Sequence, residues 1–189
     1  MSSGTGQRLR QALEALELPP QVRLAEPPQL VHVRIDTQTL SLYAPDGRLL
    51  AEYPVSTAAN GPGEREGSLC TPTGWHRISE KIGDGEPPGR VFRGRQATGA
   101  CCLPVDHDGV EDVITTRILR LEGLQPGHNR GGDRDSAARY IYLHGTPDEA
   151  RIGQPVSHGC IRLRNDDIVR LFGRLRVGDA VLIEAGAMS

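Results

Sequence analysis

The sequence predicts a mainly β domain, sandwich-like or a partly closed barrel, with a few short helices. Three observations carry this expectation. Apolar residues alternate with polar ones through Val31, Val33 and Ile35 and again through Leu40 and Leu42, the period of half-buried strands. Turn residues punctuate the whole chain, with 23 glycines and 14 prolines. Only two stretches show helical spacing, so β layers must supply the core. At 189 residues the chain has the length of one domain and can bury a core without staples.

The elements come in order. Leu9, Leu13 and Leu16 fall on one helical face, and Pro19-Pro20 ends that helix. After the linker to residue 28, the strands around Val31–Ile35 and Leu40–Leu42 lead through the PDG turn at 45–47 into a third strand, Arg48 to Val55. NGPGEREG, 60–67, is a polar loop, and TPTGWHRI, 71–78, runs from turn chemistry into alternating apolar residues. Residues 83–109 are rich in glycine and proline and read as a long loop, either disordered or a cover over an active site. ITTRILRL, 114–121, and Tyr140–His144 are strands, separated by the irregular QPGHNRGGDRDSAA. NDDIVRLF is a helix that Asn165 can cap, with Asp166 and Asp167 at its positive end and Ile168, Leu171 and Phe172 on its apolar face. AVLIE, 180–184, closes the chain of strands.

Composition excludes several functions. Twenty-four acidic and 22 basic residues give a net charge of −2, which offers no electrostatic reason to expect nucleic acid or an anionic membrane as partner. No segment has the length of a membrane span. The four cysteines, Cys70, Cys101, Cys102 and Cys160, form no C-x-x-C pair. His76, His107 and His128 are scattered through loops and read as solvated, so neither a metal nor another cofactor is expected. Reduced thiols are the simpler reading, although a link from Cys70 to Cys101 or Cys102 stays open. Trp75 and the Cys101-Cys102 pair are assigned to packing.

The chemistry concentrates in two glycine-flanked segments, His144-Gly145-Thr146 and Ser157-His158-Gly159-Cys160. A cysteine nucleophile needs a base, backbone donors for an oxyanion and a group that orients the base. If residues 157–160 are extended, His158 and Cys160 share a face, and Gly159 lets the backbone approach a substrate. Taken alone, H-x-C reads better as a buried thiol near a hydrogen-bonded imidazole. The two segments together reverse that preference. Proximity in sequence favours His158 as the base, with His144, which ends an apolar strand, as the second candidate.

HGT at 144–146 with SHGCIRL at 157–163 resembles the signature of the L,D-transpeptidase catalytic domain, the YkuD type; TPTG at 71–74 and ITTRILRL resemble the family's upstream motif and central strand. Many members carry asparagine two places after the cysteine, where this chain has Arg162, a variant that also occurs in the family. The resemblance implies a β-sandwich-like catalytic domain over residues 29–189, preceded by the helix and linker of 1–28. It implies that Cys160 attacks a peptidoglycan stem peptide at its third residue, diaminopimelate, releasing the terminal D-alanine and passing the thioester to an amine or to water. His144 is then the base, the Gly145 carbonyl orients its ring, and His158, Gly159 and Cys160 supply the oxyanion side through backbone N–H groups. Ser157, Thr146, Arg162 and Tyr142 become candidate substrate contacts. Each has an ordinary alternative: turn hydroxyls for the first two, an arginine near Asp166 and Asp167 for the third, and packing for the tyrosine. Carbapenem-type inhibitors are expected to acylate the cysteine.

Arg8 and Arg10 offer a basic start, but Glu14 and Glu17 interrupt the stretch after them, so no export signal is read. As written, the chain is expected to be cytoplasmic, where an L,D-carboxypeptidase trimming recycled tetrapeptides fits; if further residues precede it, a periplasmic or envelope cross-linker fits. A catalytically inactive peptide-binding module is the alternative of another class. A papain-like enzyme fits poorly, because its cysteine precedes the histidine at a helix start.

Overall fold

A computed structural model describes residues 3–104 and 112–186. These form α1 (Ser3–Glu14), β1 (Leu30–Arg34), β2 (Thr39–Tyr43), β3 (Leu49–Pro54), β4 (Gly74–Ile82), β5 (Arg90–Arg93), β6 (Gln96–Cys101), β7 (Ile114–Gly123), β8 (Tyr142–Gly145), β9 (Ile161–Leu163), α2 (Asn165–Arg174) and β10 (Ala180–Glu184). The strands make one curled sheet in the order β3-β2-β1-β10-β4-β7-β5-β6, with β8 branching from β7 and β9 added to β8. The first meander is antiparallel, as the PDG turn requires, whereas β1 pairs β10 in parallel across most of the sequence.

Alternation sorts the side chains between two apolar layers. Val31, Val33, Val181 and Ile183 point into the main core with Ile168, Leu171 and Phe172 of α2. Their neighbours Leu30, Ala180 and Leu182 point the other way, onto Trp75 and onto Leu9 and Leu13 of α1. Burying those two leucines contributes about 2 kcal/mol each, which holds a twelve-residue helix too short to persist alone. No described helix is long and apolar enough to cross a membrane.

Several expectations need correction. The stretch 83–109, of which 105–109 lie outside the described residues, is not loop throughout its described part: β5 and β6 form an antiparallel hairpin, docked on β7 through Val91 and Phe92. Most of β6 is exposed, so it lacks the apolar alternation that marks a strand. The strand before the HGT segment starts at Tyr142, because Tyr140 turns at φ 57° and lies exposed. Cys101 is exposed and packs nothing, and the described cysteines are all free thiols. Asn165 does not cap α2 with its side chain; Glu149 Oε1 accepts from the Asn165 N–H at 2.8 Å and takes that role. His107 lies outside the described residues, and His128 is half exposed beside Glu64.

His76, expected in solvent, is fully buried on β4. Its Nδ1 lies 3.0 Å from the Gly74 carbonyl, which can only accept, so Nδ1 carries the proton and Ser136 Oγ donates to Nε2 at 2.9 Å. Burial pushes this imidazole down to about 4. The unfolded chain therefore takes up a proton near pH 6.5 that the folded protein refuses until about pH 4. The stability contributed by neutral His76 is complete above 6.5 and is lost as the pH falls through that window, by roughly 3 kcal/mol. Urea denaturation of wild type and His76→Gln at pH 7 and pH 4.5 checks this: the wild type should lose more stability between the two.

Candidate active site

The parallel β8–β9 pair builds the site. Leu143 lies opposite Ile161, and His144 opposite Arg162. Leu143, Ile161 and Leu163 point into the main core. Alternation then turns Tyr142, His144, Cys160 and Arg162 to the opposite face, so two distant segments deliver a thiol, an imidazole and a guanidinium to one surface.

His144 is buried, and its Nδ1 lies 2.7 Å from the Gly145 carbonyl. Since the carbonyl accepts, the proton sits on Nδ1, and Nε2 keeps its lone pair. Burial lowers the affinity of this imidazole for a second proton, against the pull of Asp112. The half-buried Cys160 sits just before β9. Its Sγ accepts from the Tyr142 N–H at 3.4 Å and donates to the Tyr140 carbonyl at 3.3 Å. Burial pushes the thiol up to about 12. At neutral pH the pair is thiol plus neutral imidazole. Such a pair generates thiolate as the base removes the proton during attack, not beforehand.

Iodoacetamide at pH 7 is accordingly expected to label the exposed Cys101 ahead of Cys160, and the Cys160 rate should rise about tenfold per pH unit through pH 10. Peptide mapping reads both. Preferential labelling of Cys160 at pH 7 contradicts a thiol held this high.

The segment before Cys160 is not a strand. Gly159 has φ 133°, a conformation strained for other residues, and a Cβ there would come within 3.3 Å of the Cys70 carbonyl and of Ile141. The backbone that Gly159 lets approach is thus that of Cys70. Thr71 Oγ1 donates to the Gly159 carbonyl at 2.9 Å, and Ser157 Oγ donates to the Cys160 carbonyl at 2.6 Å. These bonds fix the turn and leave the Cys160 N–H without a partner among the described residues. The bend sends His158 outward, where its Nδ1 meets Asp112 at 2.9 Å, rather than onto the face of Cys160.

Gly145 is small for a reason other than ligand room. A Cβ there would meet the Thr115 carbonyl at 2.7 Å and Asn165 Oδ1 at 2.8 Å. Asn165 ties together the Thr115 and Thr116 hydroxyls, the Thr146 carbonyl and Glu149, and so locks β7, the end of β8 and the start of α2. Thr146 is fully buried, and its hydroxyl accepts from the Asp148 N–H. Tyr142 packs with Phe92 and Ile118 against Cys160.

Arg162 is almost fully buried, and its partners are not Asp166 and Asp167. It donates to Asp112 Oδ1 at 3.0 Å, Asp148 Oδ2 at 3.1 Å and Ser56 Oγ at 3.3 Å. Burial alone would raise the Asp112 carboxyl, but Arg162 and the two histidines hold it below its ordinary value. Asp112 and Asp148 carried no sequence signal: each stands among polar neighbours and is defined only by the arginine that the fold brings to it. Thr71 was visible as part of TPTG, though not its bond to Gly159. Among the described residues no cluster of histidine, cysteine and acidic side chains is arranged to hold a metal.

The family model described as the L,D-transpeptidase catalytic domain (YkuD) matches residues 28–183. The chain is 31% identical over 172 residues to the "Probable L,D-transpeptidase YcfS" of Escherichia coli, covering 89% of this chain and 48% of that protein; it thus spans about half that relative's length. Among solved structures, it is similar to L,D-transpeptidase 3 of Mycobacterium tuberculosis in complex with a faropenem-derived adduct, at TM-score 0.51 and 19% identity over 82% of this chain and 60% of that one. An L,D-transpeptidase from Mycobacterium smegmatis matches at TM-score 0.50 and 20% identity, over 84% and 59%.

Proposed function

The chain belongs to the L,D-transpeptidase catalytic-domain family, and from that premise we propose that it transfers peptidoglycan stem peptides through an acyl-enzyme on Cys160. The observation that carries this reading is the shared face of Cys160 and His144, with the His144 Nδ1–H held by the Gly145 carbonyl. On substrate binding, the Sγ proton leaves the Tyr140 carbonyl for His144 Nε2 as Sγ attacks the carbonyl carbon of diaminopimelate. The unpartnered Cys160 N–H donates to the developing oxyanion, and the Gly159 N–H joins it by leaving Ser157 Oγ, to which it donates at 3.3 Å. Collapse breaks the amide bond, and His144 returns the proton to the departing D-alanine amine. An acceptor amine then attacks the thioester, giving its proton to His144, and the thiolate of Cys160 leaves and is reprotonated. A penem or carbapenem takes the first half of this course and stays on the sulfur.

Incubating the protein with a diaminopimelate-containing tetrapeptide, with and without an amine acceptor, tests the proposal by mass spectrometry. Loss of D-alanine with a cross-linked dimer is expected. Tripeptide alone assigns water as acceptor and an L,D-carboxypeptidase. Intact tetrapeptide in both arms overturns the reading.

A further inference from the structure

One cation beside the nucleophile is held by neutral groups. Arg139, on the turn that leads into β8, donates through Nη1 to the carbonyls of Gly63 at 3.1 Å and Glu64 at 2.7 Å, and through Nη2 to that of Cys70 at 2.7 Å. Among the described residues no carboxylate stands within ion-pair distance of it. A guanidinium has five N–H donors, so three bonds leave the Nε–H and one Nη2 hydrogen unused. Among the described residues nothing accepts from the Nε–H, and that atom is not fully buried. Neutral carbonyls explain why the side chain is ordered there; the opposing charges of Glu64 and Glu66 act on it only from beyond ion-pair distance.

Arg139 lines a cavity of about 180 Å³ with Glu66, Leu69, Tyr140, Ile141 and His158. This cavity adjoins the nucleophile, since Tyr140 contributes the carbonyl that holds the Cys160 thiol and His158 stands two residues before it. Its walls offer apolar contact from Tyr140 and Leu69, both exposed for their size. Glu66 is the one acidic wall; it is exposed and lies beyond ion-pair reach of the guanidinium.

We propose that Arg139 is a substrate-binding residue that holds a carboxylate of the donor peptide in this cavity, beside the carbonyl that Cys160 attacks. The inference rests on the stem-peptide reading above. Two carboxylates flank the scissile bond of such a peptide, the α-carboxylate of the terminal D-alanine and the free carboxylate at the D-centre of diaminopimelate. Both present the planar pair of oxygens that a guanidinium fork matches.

The test compares the tetrapeptide with two analogues, one amidated at the D-alanine carboxylate and one at the diaminopimelate D-centre. Binding is measured by calorimetry to Cys160→Ala and to Cys160→Ala/Arg139→Gln, and turnover is followed with Cys160 intact. One amidation is expected to weaken binding about 10- to 100-fold when Arg139 is present, and by less than about 3-fold in the Arg139→Gln protein. The analogue that shows the effect identifies the carboxylate, and Arg139→Lys should restore part of it. Equal binding of acid and both amides to the protein that retains Arg139 overturns the proposal, while normal turnover leaves the reaction standing. A uniform loss for all three ligands in Arg139→Gln assigns the residue to loop structure and also overturns it. Neither binding nor turnover of any ligand overturns the stem-peptide reading and this subsite with it.

Discussion

Cys160→Ala is expected to abolish both D-alanine release and covalent capture of a carbapenem, a loss of at least about 10³-fold in turnover. Cys160→Ser should fall nearly as far, because a hydroxyl is a poorer nucleophile than a thiol whose proton a neutral imidazole can take. His144→Ala should match it, whereas His158→Ala, which removes a ring that faces Asp112 rather than the sulfur, should retain most activity. Intact mass after carbapenem treatment reads the first step alone, and tetrapeptide turnover reads both. The pH profile adds a sign. Burial holds His144 below its ordinary value of 6.5, so the base stays neutral at mildly acidic pH, and kcat/KM should begin to fall only below that value as the imidazole protonates. No thiol limb is expected on the alkaline side until near pH 12. Turnover that survives Cys160→Ala would sink the mechanism.

Arg162→Ala is expected to be the most destabilising change outside the hydrophobic core, at roughly 3 kcal/mol. It opens a void where a side chain 1% exposed had stood and strips a cation from two carboxylates, one of them 3% exposed. The figure stays at the lower end for a broken buried pair because Arg151 still bonds Asp148 at 2.7 Å. The sign of its pH dependence comes from Asp112, whose carboxyl the guanidinium helps hold below the ordinary 3.8. That contribution is complete above 3.8 and is lost as the pH falls through the lower folded-state value, so the gap between wild type and variant should close in acid. Urea denaturation at pH 7 and pH 3 measures it; a loss under about 1 kcal/mol at pH 7 would place Arg162 outside the framework that holds the site.

How much of this was legible in the sequence depended on whether a residue's fate was set locally. The strands at Val31–Ile35, Leu40–Leu42 and AVLIE were readable because one face of each enters an apolar layer, and the amphipathic helices because their leucines recur with the helical period. The β5–β6 hairpin was not, since Gln96, Ala97 and Ala100 face solvent and give no alternation to read. His76 was misread for the complementary reason: paired with Val181, it faces away from α1, and Ser136 closes over its ring, a cover supplied from elsewhere in the chain that no local pattern announces. At the site, the HGT and SHGC segments named the thiol and both imidazoles. The choice between the imidazoles depends on the left-handed backbone at Gly159 and on the β8–β9 register, which only the folded chain displays. Asp112 and Asp148 belong to the same class, being long-range partners of one buried arginine.

The placement of β10 has a consequence for how this protein is made. The last strand in sequence is not an edge: it sits between β1 and β4, in parallel with the first strand of the chain. During synthesis the β1–β3 meander and the β4–β8 segment therefore emerge with no direct ladder joining them, and Val31, Val33 and Ile78 wait for Val181 and Ile183 to complete the layer they share. Such distant pairing makes assembly slow and leaves two open strand edges exposed to other chains until residue 184 has left the ribosome. A chain arrested before Ala180 should be captured by chaperones or aggregate, even though it already carries every residue of the Cys160–His144 pair.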